Sequence, residues 1–189
     1  MKKNEWRSET VYDKFLQASV RFDERNLEDF RDLTISCKSS KTAEGMAVVK
    51  LGNTEVIAGI KMMVGTPFPD RPNDGVIMVN AEFLPLASPD FESGPPGIDS
   101  IELSRVVDRG IRESHAIDLK KLCIKKGEKV CIVSIDICTL NDDGNLLDAS
   151  AIAVLSALKK TRLPGYDGEE VNYKEISKTM TLINSQNFT

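Results

Sequence analysis

The chain is poor in the residues that usually carry enzyme chemistry. It holds one histidine, His115, and one tryptophan. None of its four cysteines, Cys37, Cys123, Cys131 and Cys138, forms a C-x-x-C pair. Ligands so few and so scattered exclude a zinc knuckle, ribbon or finger. Cys131 and Cys138 lie in apolar, strand-like runs, where free thiols are common, so no disulfide scaffold is expected. The longest uninterrupted apolar run, Ala151 to Leu155, is far too short to span a bilayer. The charged start, Met1 to Arg7, is not followed by an apolar stretch of signal length. These shortages lead to the expectation of a soluble, cytoplasmic protein with no membrane segment. There is no G-x-G-x-x-G, no Walker loop, and no Ser or Cys nucleophile beside a histidine signature. A bulk positive charge is missing too: Lys plus Arg is 25 against 29 for Asp plus Glu, a net charge of -4. A protein that coats nucleic acid by bulk charge runs basic. Any such contact here needs a local basic patch inside an acidic average.

What is present is globular. Of 189 residues, 41% are hydrophobic and 29% charged, enough for one domain with a real core. Apolar groups at Val11, Tyr12, Phe15, Leu16 and Val20 predict an amphipathic helix over residues 8–20. Leu33, Ile35 and Cys37 alternate with polar residues as in a half-exposed strand. A hairpin follows, with Met46, Val48 and Leu51 leading into Gly52-Asn53-Thr54 and Val56 to Ile60 leading out. A loop rich in turn formers, Gly65 to Gly75, precedes a short buried strand over Val76 to Val79. Pro85, Pro89, Pro95 and Pro96 exclude a helix or central strand over residues 85–97.

Asp99 is placed to cap a helix, with Glu102 completing a near capping box. Leu103, Val106, Val107, Gly110 and Ile111 form its apolar stripe. Strands are expected over Leu122 to Ile124 and Val130 to Leu140. Asn141-Asp142-Asp143-Gly144 is a turn, and Leu147, Ala151, Val154, Leu155 and Leu158 make the face of a second helix ending before Pro164-Gly165. Met180 to Ile183 begins a further strand. The fold class is α+β.

Three constellations bear on chemistry. On a helix, position 109 lies about 40° from 105 and position 112 about 20° the other way. Arg105, Arg109 and Arg112 therefore leave one narrow face, opposite the apolar stripe. Such a row suits successive phosphates of a single strand, because each guanidinium can grip two phosphate oxygens. The same row also reads as a salt-bridged surface: Glu102, Asp108 and Glu113 stand three or four residues from an arginine. Second, Asp136, Asp142, Asp143 and Asp148 form an acidic run. It lacks the spacing of a calcium loop, and Asp142-Asp143-Gly144 suits a turn with a helix start. Third, His115 follows the arginine row and reads as an exposed polar residue or a partner of the helix end.

Several segments resemble a known family. They are Ala43-Glu44-Gly45-Met46-Ala47, Val49-Lys50-Leu51-Gly52-Asn53-Thr54, Pro67-Phe68-Pro69-Asp70, Leu84-Pro85-Leu86-Ala87-Ser88-Pro89, Glu102-Leu103-Ser104-Arg105-Val106-Val107-Asp108-Arg109 and Asp142-Asp143-Gly144-Asn145-Leu146-Leu147-Asp148-Ala149. Together, over residues 21–164, they resemble the RNase PH superfamily, and most of all its non-catalytic ring subunit in the archaeal exosome. The resemblance implies an RNase PH-like domain over 21–189, of mixed β-sheets with packed helices and β-α-β units, after an N-terminal helical extension over 1–20. Relatives continue past the segment matching Thr179 to Ile183, so the family fold is expected to be incomplete at its C-terminal end.

The resemblance also implies a role. Such a subunit alternates with a catalytic RNase PH-like paralogue in a hexameric ring that carries RNA-binding cap subunits. Single-stranded RNA threads the channel and is shortened 3′ to 5′ by phosphorolysis in the neighbouring subunit. The non-catalytic subunit lends arginines to the RNA, and Arg105, Arg109 and Arg112 lie in the matching motif. Arg105 and Arg109 are the stronger candidates, since Arg112 is placed to pair with Asp108. No metal or cofactor is implied. Catalytic members hold phosphate with a Gly-Thr/Ser-Arg step at a helix start; here that step is Gly144-Asn145-Leu146, and the guanidinium is gone. No catalytic residue is therefore expected. The family's Arg-x-Asp-Gly-Arg becomes Arg21-Phe22-Asp23-Glu24-Arg25, with Glu where a turn glycine is usual. Two other readings stay open: an active phosphorolytic enzyme using Asp136, Asp142 and Asp148, and an RNA-binding scaffold module outside the exosome.

Overall fold

The computed structural model describes Phe15, Gln17, residues 19–21, 23–38, Ser40, 42–166 and 171–181, with side chains as far as Arg162. Two compact units divide at Asp32/Leu33. In the first unit, Phe15 and Gln17 are helical; the helix expected over 8–20 ends before Ser19, which turns with a φ of 56°, and Val20 bridges to Asn26, while residues 8–14, 16 and 18 lie outside the described residues. A short arginine-clamped loop follows. The Arg21 amide donates to the Arg25 carbonyl (2.8 Å) and the Glu24 amide to the Arg21 carbonyl (3.0 Å). Glu24 takes a φ of 64°, so the position expected to want glycine is left-handed, and Glu occupies it under strain.

The second unit is a mixed sheet covered by two helices. Its strands are β1 (Leu33–Cys37), β2 (Gly45–Leu51), β3 (Thr54–Gly65), β4 (Val76–Phe83), β5 (Cys123–Lys125) and β6 (Lys129–Asn141). Helix α1 (Ile98–Glu113) follows β4, and α2 (Leu146–Lys160) follows β6. A separate ribbon pairs β7 (Arg162–Tyr166) with β8 (Val171–Thr181). The strand expected at Met180 thus begins earlier, at Val171. The main sheet runs β1-β2-β3-β6-β4, with β5 on β6. All its pairs are antiparallel except β4–β6. The β4–α1–β6 segment is therefore a β-α-β crossover.

Alternation builds the core. In β3, Val56, Ala58, Ile60 and Met62 are buried, and the register sets them beside Thr139, Ile137, Ile135 and Val133 of β6. Leu103, Val107 and Ile111 of α1 and Ala149, Ala153, Val154, Ala157 and Leu158 of α2 close over that face. The hairpin turn is where it was expected, with Gly52 at a φ of 61°.

The helices differ from expectation at two faces and one cap. Val106 and Gly110 are exposed, because Ser100, Leu103, Val107 and Ile111 centre the buried stripe away from them. The α1 N-cap is Gly97, and Asp99 is a first-turn residue, not the cap. In α2, Leu147 is exposed and the buried positions are Ala149, Ser150, Ala153, Val154, Ala157 and Leu158. Small residues win there because the helix runs close to the sheet: a Cβ on Gly45 of β2 would meet the Thr161 hydroxyl and lie 2.7 Å from the Ala157 carbonyl oxygen.

Candidate nucleic-acid interface

Helix α1 is held at both ends, which fixes where its arginines point. At its start, the buried Ser100 hydroxyl donates to the Ala81 carbonyl of β4 at 2.5 Å. At its end, the His115 amide donates to the Arg112 carbonyl and the Ala116 amide to the Ile111 carbonyl, with His115 at a φ of 50°. Those bonds are a Schellman closure, with His where glycine is usual. His115 terminates the helix.

The three arginines separate into two kinds. The Arg112 Nε donates to Asp108 Oδ1 at 2.9 Å and Oδ2 at 2.7 Å. Its Nη2 donates to the Ile77 carbonyl of edge strand β4 at 2.6 Å. Arg112 therefore ties helix to sheet. Arg105 and Arg109 are exposed, and among the described residues neither guanidinium has a hydrogen bond or ion pair. Two strong, uncommitted donors one helical turn apart, about 6 Å along the axis, form a face that can take two anionic groups in sequence. Ile98, Ile101 and Val106 are exposed on the same helix. In the sequence nothing local distinguishes Ile98 and Ile101, uncovered apolar residues, from core ones.

The acidic run does not form one site. Asp136 accepts from Asn80 Nδ2 at 3.1 Å in mid-sheet. From there to the end of β6 is roughly 16 Å of strand, so Asp136 is remote from the turn that holds the other three. In that turn Asp142 accepts from the Gly144 amide (3.0 Å), Asp143 from Asn53 Nδ2 (3.2 Å) and Asp148 from Asn145 Nδ2 (2.8 Å). The Thr54 hydroxyl donates to the Gly144 carbonyl (2.7 Å) and accepts from the Asp143 amide (3.0 Å). The turn that would present phosphate to a helix start is thus locked to the β2–β3 hairpin and bordered by three carboxylates. Like charge there works against an anion, and Leu146 stands where the resemblance implies an arginine.

Among the described residues, no group of three or more His, Cys, Asp or Glu side chains is placed to hold a metal. Likewise, no helix among them is long and apolar enough to cross a membrane. The four thiols are free. Burial pushes Cys131 above the ordinary thiol value, and burial, then Glu82 and Asp136, pushes Cys138 the same way. Neither is a ready nucleophile at neutral pH.

A mixed sheet with a β-α-β crossover and an outward arginine helix defines an α+β domain of the RNase PH type. Residues 29–164 match the RNase PH domain, "3' exoribonuclease family, domain 1", and the chain belongs to that family. It is 58% identical over 149 residues to "Exosome complex component Rrp42" of Archaeoglobus fulgidus, covering 79% of this chain and 58% of that protein. The same-named protein of Thermococcus kodakarensis is 52% identical over 160 residues, covering 85% of this chain and 57% of its own length. The chain therefore spans somewhat more than half the length of these relatives. Among solved structures, "archaeoglobus fulgidus exosome with RNA bound to the active site" aligns with a TM-score of 0.80 at 53% identity, over 89% of this chain and 67% of that one. "Archaeal exosome core" aligns at 0.74 and 48% identity, over 89% and 64%.

Proposed function

We propose that this chain is a structural, RNA-guiding subunit of an exosome ring, and that it carries no catalytic centre of its own. In this reading it alternates with a catalytic RNase PH-like paralogue in a cytoplasmic hexamer bearing RNA-binding caps. Single-stranded RNA reaches the neighbour's active site across Arg105 and Arg109, and is degraded 3′ to 5′ by phosphorolysis. The observation that carries the proposal is the split among the arginines. Arg112 is spent on the fold, while Arg105 and Arg109 are left with no partner among the described residues. The exposed Ile98, Ile101 and Val106 on the same helix favour a neighbouring subunit beside that face. The acidic border of the Asp142–Asp148 turn and its missing guanidinium argue against phosphorolysis by this chain alone. The names of the archaeal relatives fit the same role.

The test is the double variant Arg105→Ala/Arg109→Ala in the assembled ring. Each lost phosphate contact weakens charge-driven binding and reduces its salt dependence. RNA degradation by the ring should fall about tenfold or more, with ring assembly intact. Unchanged degradation would remove the RNA-guiding role from this helix. Phosphate-dependent release of nucleoside diphosphates by the pure chain would instead reveal an active centre here.

A further inference from the structure

The arginine row of α1 leads to a hollow that the family resemblance does not explain. Loop 66–75 borders it, with the C-terminal end of α1 on the other side. Its volume is about 310 Å³, and its lining includes Phe68, Asp70, Arg71, Asp74 and Arg112. That volume lies near the lower end for small-ligand sites, roughly 300 Å³. The loop is long but firmly held. The Arg71 amide donates to the Phe68 carbonyl at 3.0 Å and the Asp74 amide to the Arg71 carbonyl at 3.2 Å. The Gly75 amide is bonded to the Leu119 carbonyl, and the Pro72 carbonyl to the Gly127 amide, both at 2.9 Å. On this anchored loop Phe68 stands 59% exposed. Beside it, Arg71 makes only a loose pair with Asp70, at 3.8 Å between two well-exposed side chains, which is worth little.

An exposed ring and a weakly paired guanidinium that line one hollow on a backbone-anchored loop form the combination with which proteins hold an unstacked base and its phosphate. The two carboxylates are the wrong sign for phosphate, but they are acceptors for ribose hydroxyls or the amino groups of a base. We propose that this hollow takes one nucleotide of single-stranded RNA. The base stacks on Phe68, the phosphate pairs with Arg71, and Asp70 or Asp74 accepts from the ribose or base edge. The proposal rests on the RNA-guiding reading and extends it beyond α1: the strand that crosses Arg105 and Arg109 continues past the helix end into this hollow.

The test uses the full chain and oligouridine containing 4-thiouridine, with photocrosslinks mapped to peptides. The expected result is a crosslink at Phe68. Phe68→Ala abolishes it and weakens oligouridine binding about tenfold, while Phe68→Trp restores both, because stacking tolerates any aromatic ring. Arg71→Glu weakens binding by a similar factor without moving the crosslinked residue. Phe68 is a surface side chain, so these variants are expected to fold. Crosslinks confined to α1, with Phe68→Ala binding like the wild type, would overturn the subsite and leave the α1 reading standing. A Phe68 crosslink that survives Arg105→Ala/Arg109→Ala at full strength would support the subsite while removing the role of α1. No crosslink, with a Phe68→Ala chain that no longer joins its ring partners, would overturn the subsite and make the hollow a protein-docking surface.

Discussion

Glu24 shows what a single residue costs when the backbone wants another. Its φ of 64° is open to glycine and strained for Glu. The loop is nonetheless kept by its arginines: Arg25 donates to Asp23 at 2.6 Å and to the Asp29 carbonyl at 2.6 Å, and Arg21 reaches the Leu27 carbonyl. The Arg25 bond also holds the Asp23 carboxyl below its usual range. Glu24→Gly should relieve the strain and stabilise the loop by about 0.5–1 kcal/mol, after glycine's extra unfolded-state entropy is subtracted. Slower amide exchange across residues 21–27 is the readout.

Cys138 provides a second residue-scale expectation. Its thiol titrates above the ordinary value of 9.0. A group whose neutral form is favoured by folding contributes stability below its unfolded pKa, and that stability is lost as pH rises toward the folded value. Cys138 should therefore resist iodoacetamide at neutral pH while the exposed Cys37 reacts. Its alkylation and a loss of stability should emerge together only above about pH 9. Rapid alkylation of Cys138 at pH 7 would contradict the burial described for it.

At the scale of elements, α1 has an inner and an outer task. Its inner stripe, with Ser100 and Arg112 at the two ends, docks it on β4. Arg112→Ala should cost about 1–2 kcal/mol in urea denaturation, since it removes a charged hydrogen bond to Ile77 and leaves Asp108 unpaired. Arg112→Lys should recover less than half, because an ammonium cannot grip the carboxylate and the carbonyl in that fork geometry. Arg105→Ala and Arg109→Ala should each stay within about 0.5 kcal/mol of the parent. Equal costs at all three positions would mean that the row is one structural feature after all. The periodicity of the sequence located this helix to within a residue or two. It misjudged its inner face, because Val106 and Gly110 suit an apolar stripe but the sheet does not reach them.

For the whole molecule, the acidic average conceals separate charge regions. Glu82, Asp90, Glu92, Asp99 and Asp136 line one hollow of about 910 Å³, while Arg105 and Arg109 stand on the outer face of α1. A subunit that met RNA only along a channel would need no net positive charge. Co-expression with a catalytic RNase PH-like paralogue should yield a native mass fitting an alternating hexamer. A persistent monomer would count against the ring.

Much of this protein follows from local rules. Alternation at Val56 to Met62 and the Gly52-Asn53 turn specify the β2–β3 hairpin, and prolines keep residues 85–97 out of regular structure. The 105/109/112 spacing fixes which helix face the arginines share. These features involve neighbours a few residues apart, so the sequence determines them by itself. The placement of β6 between β3 and β4 depends on long-range pairing, which no local pattern encodes. The same holds for the choice of small α2 residues against Gly45 and for the dispersal of Asp136 from Asp142 and Asp148. The roles of the arginines also needed the tertiary structure. Spacing put them on one face and already set Asp108 one turn before Arg112; what only the tertiary structure decided was the approach of the β4 edge, whose Ile77 carbonyl ties Arg112 to the sheet while Arg105 and Arg109 stay uncommitted.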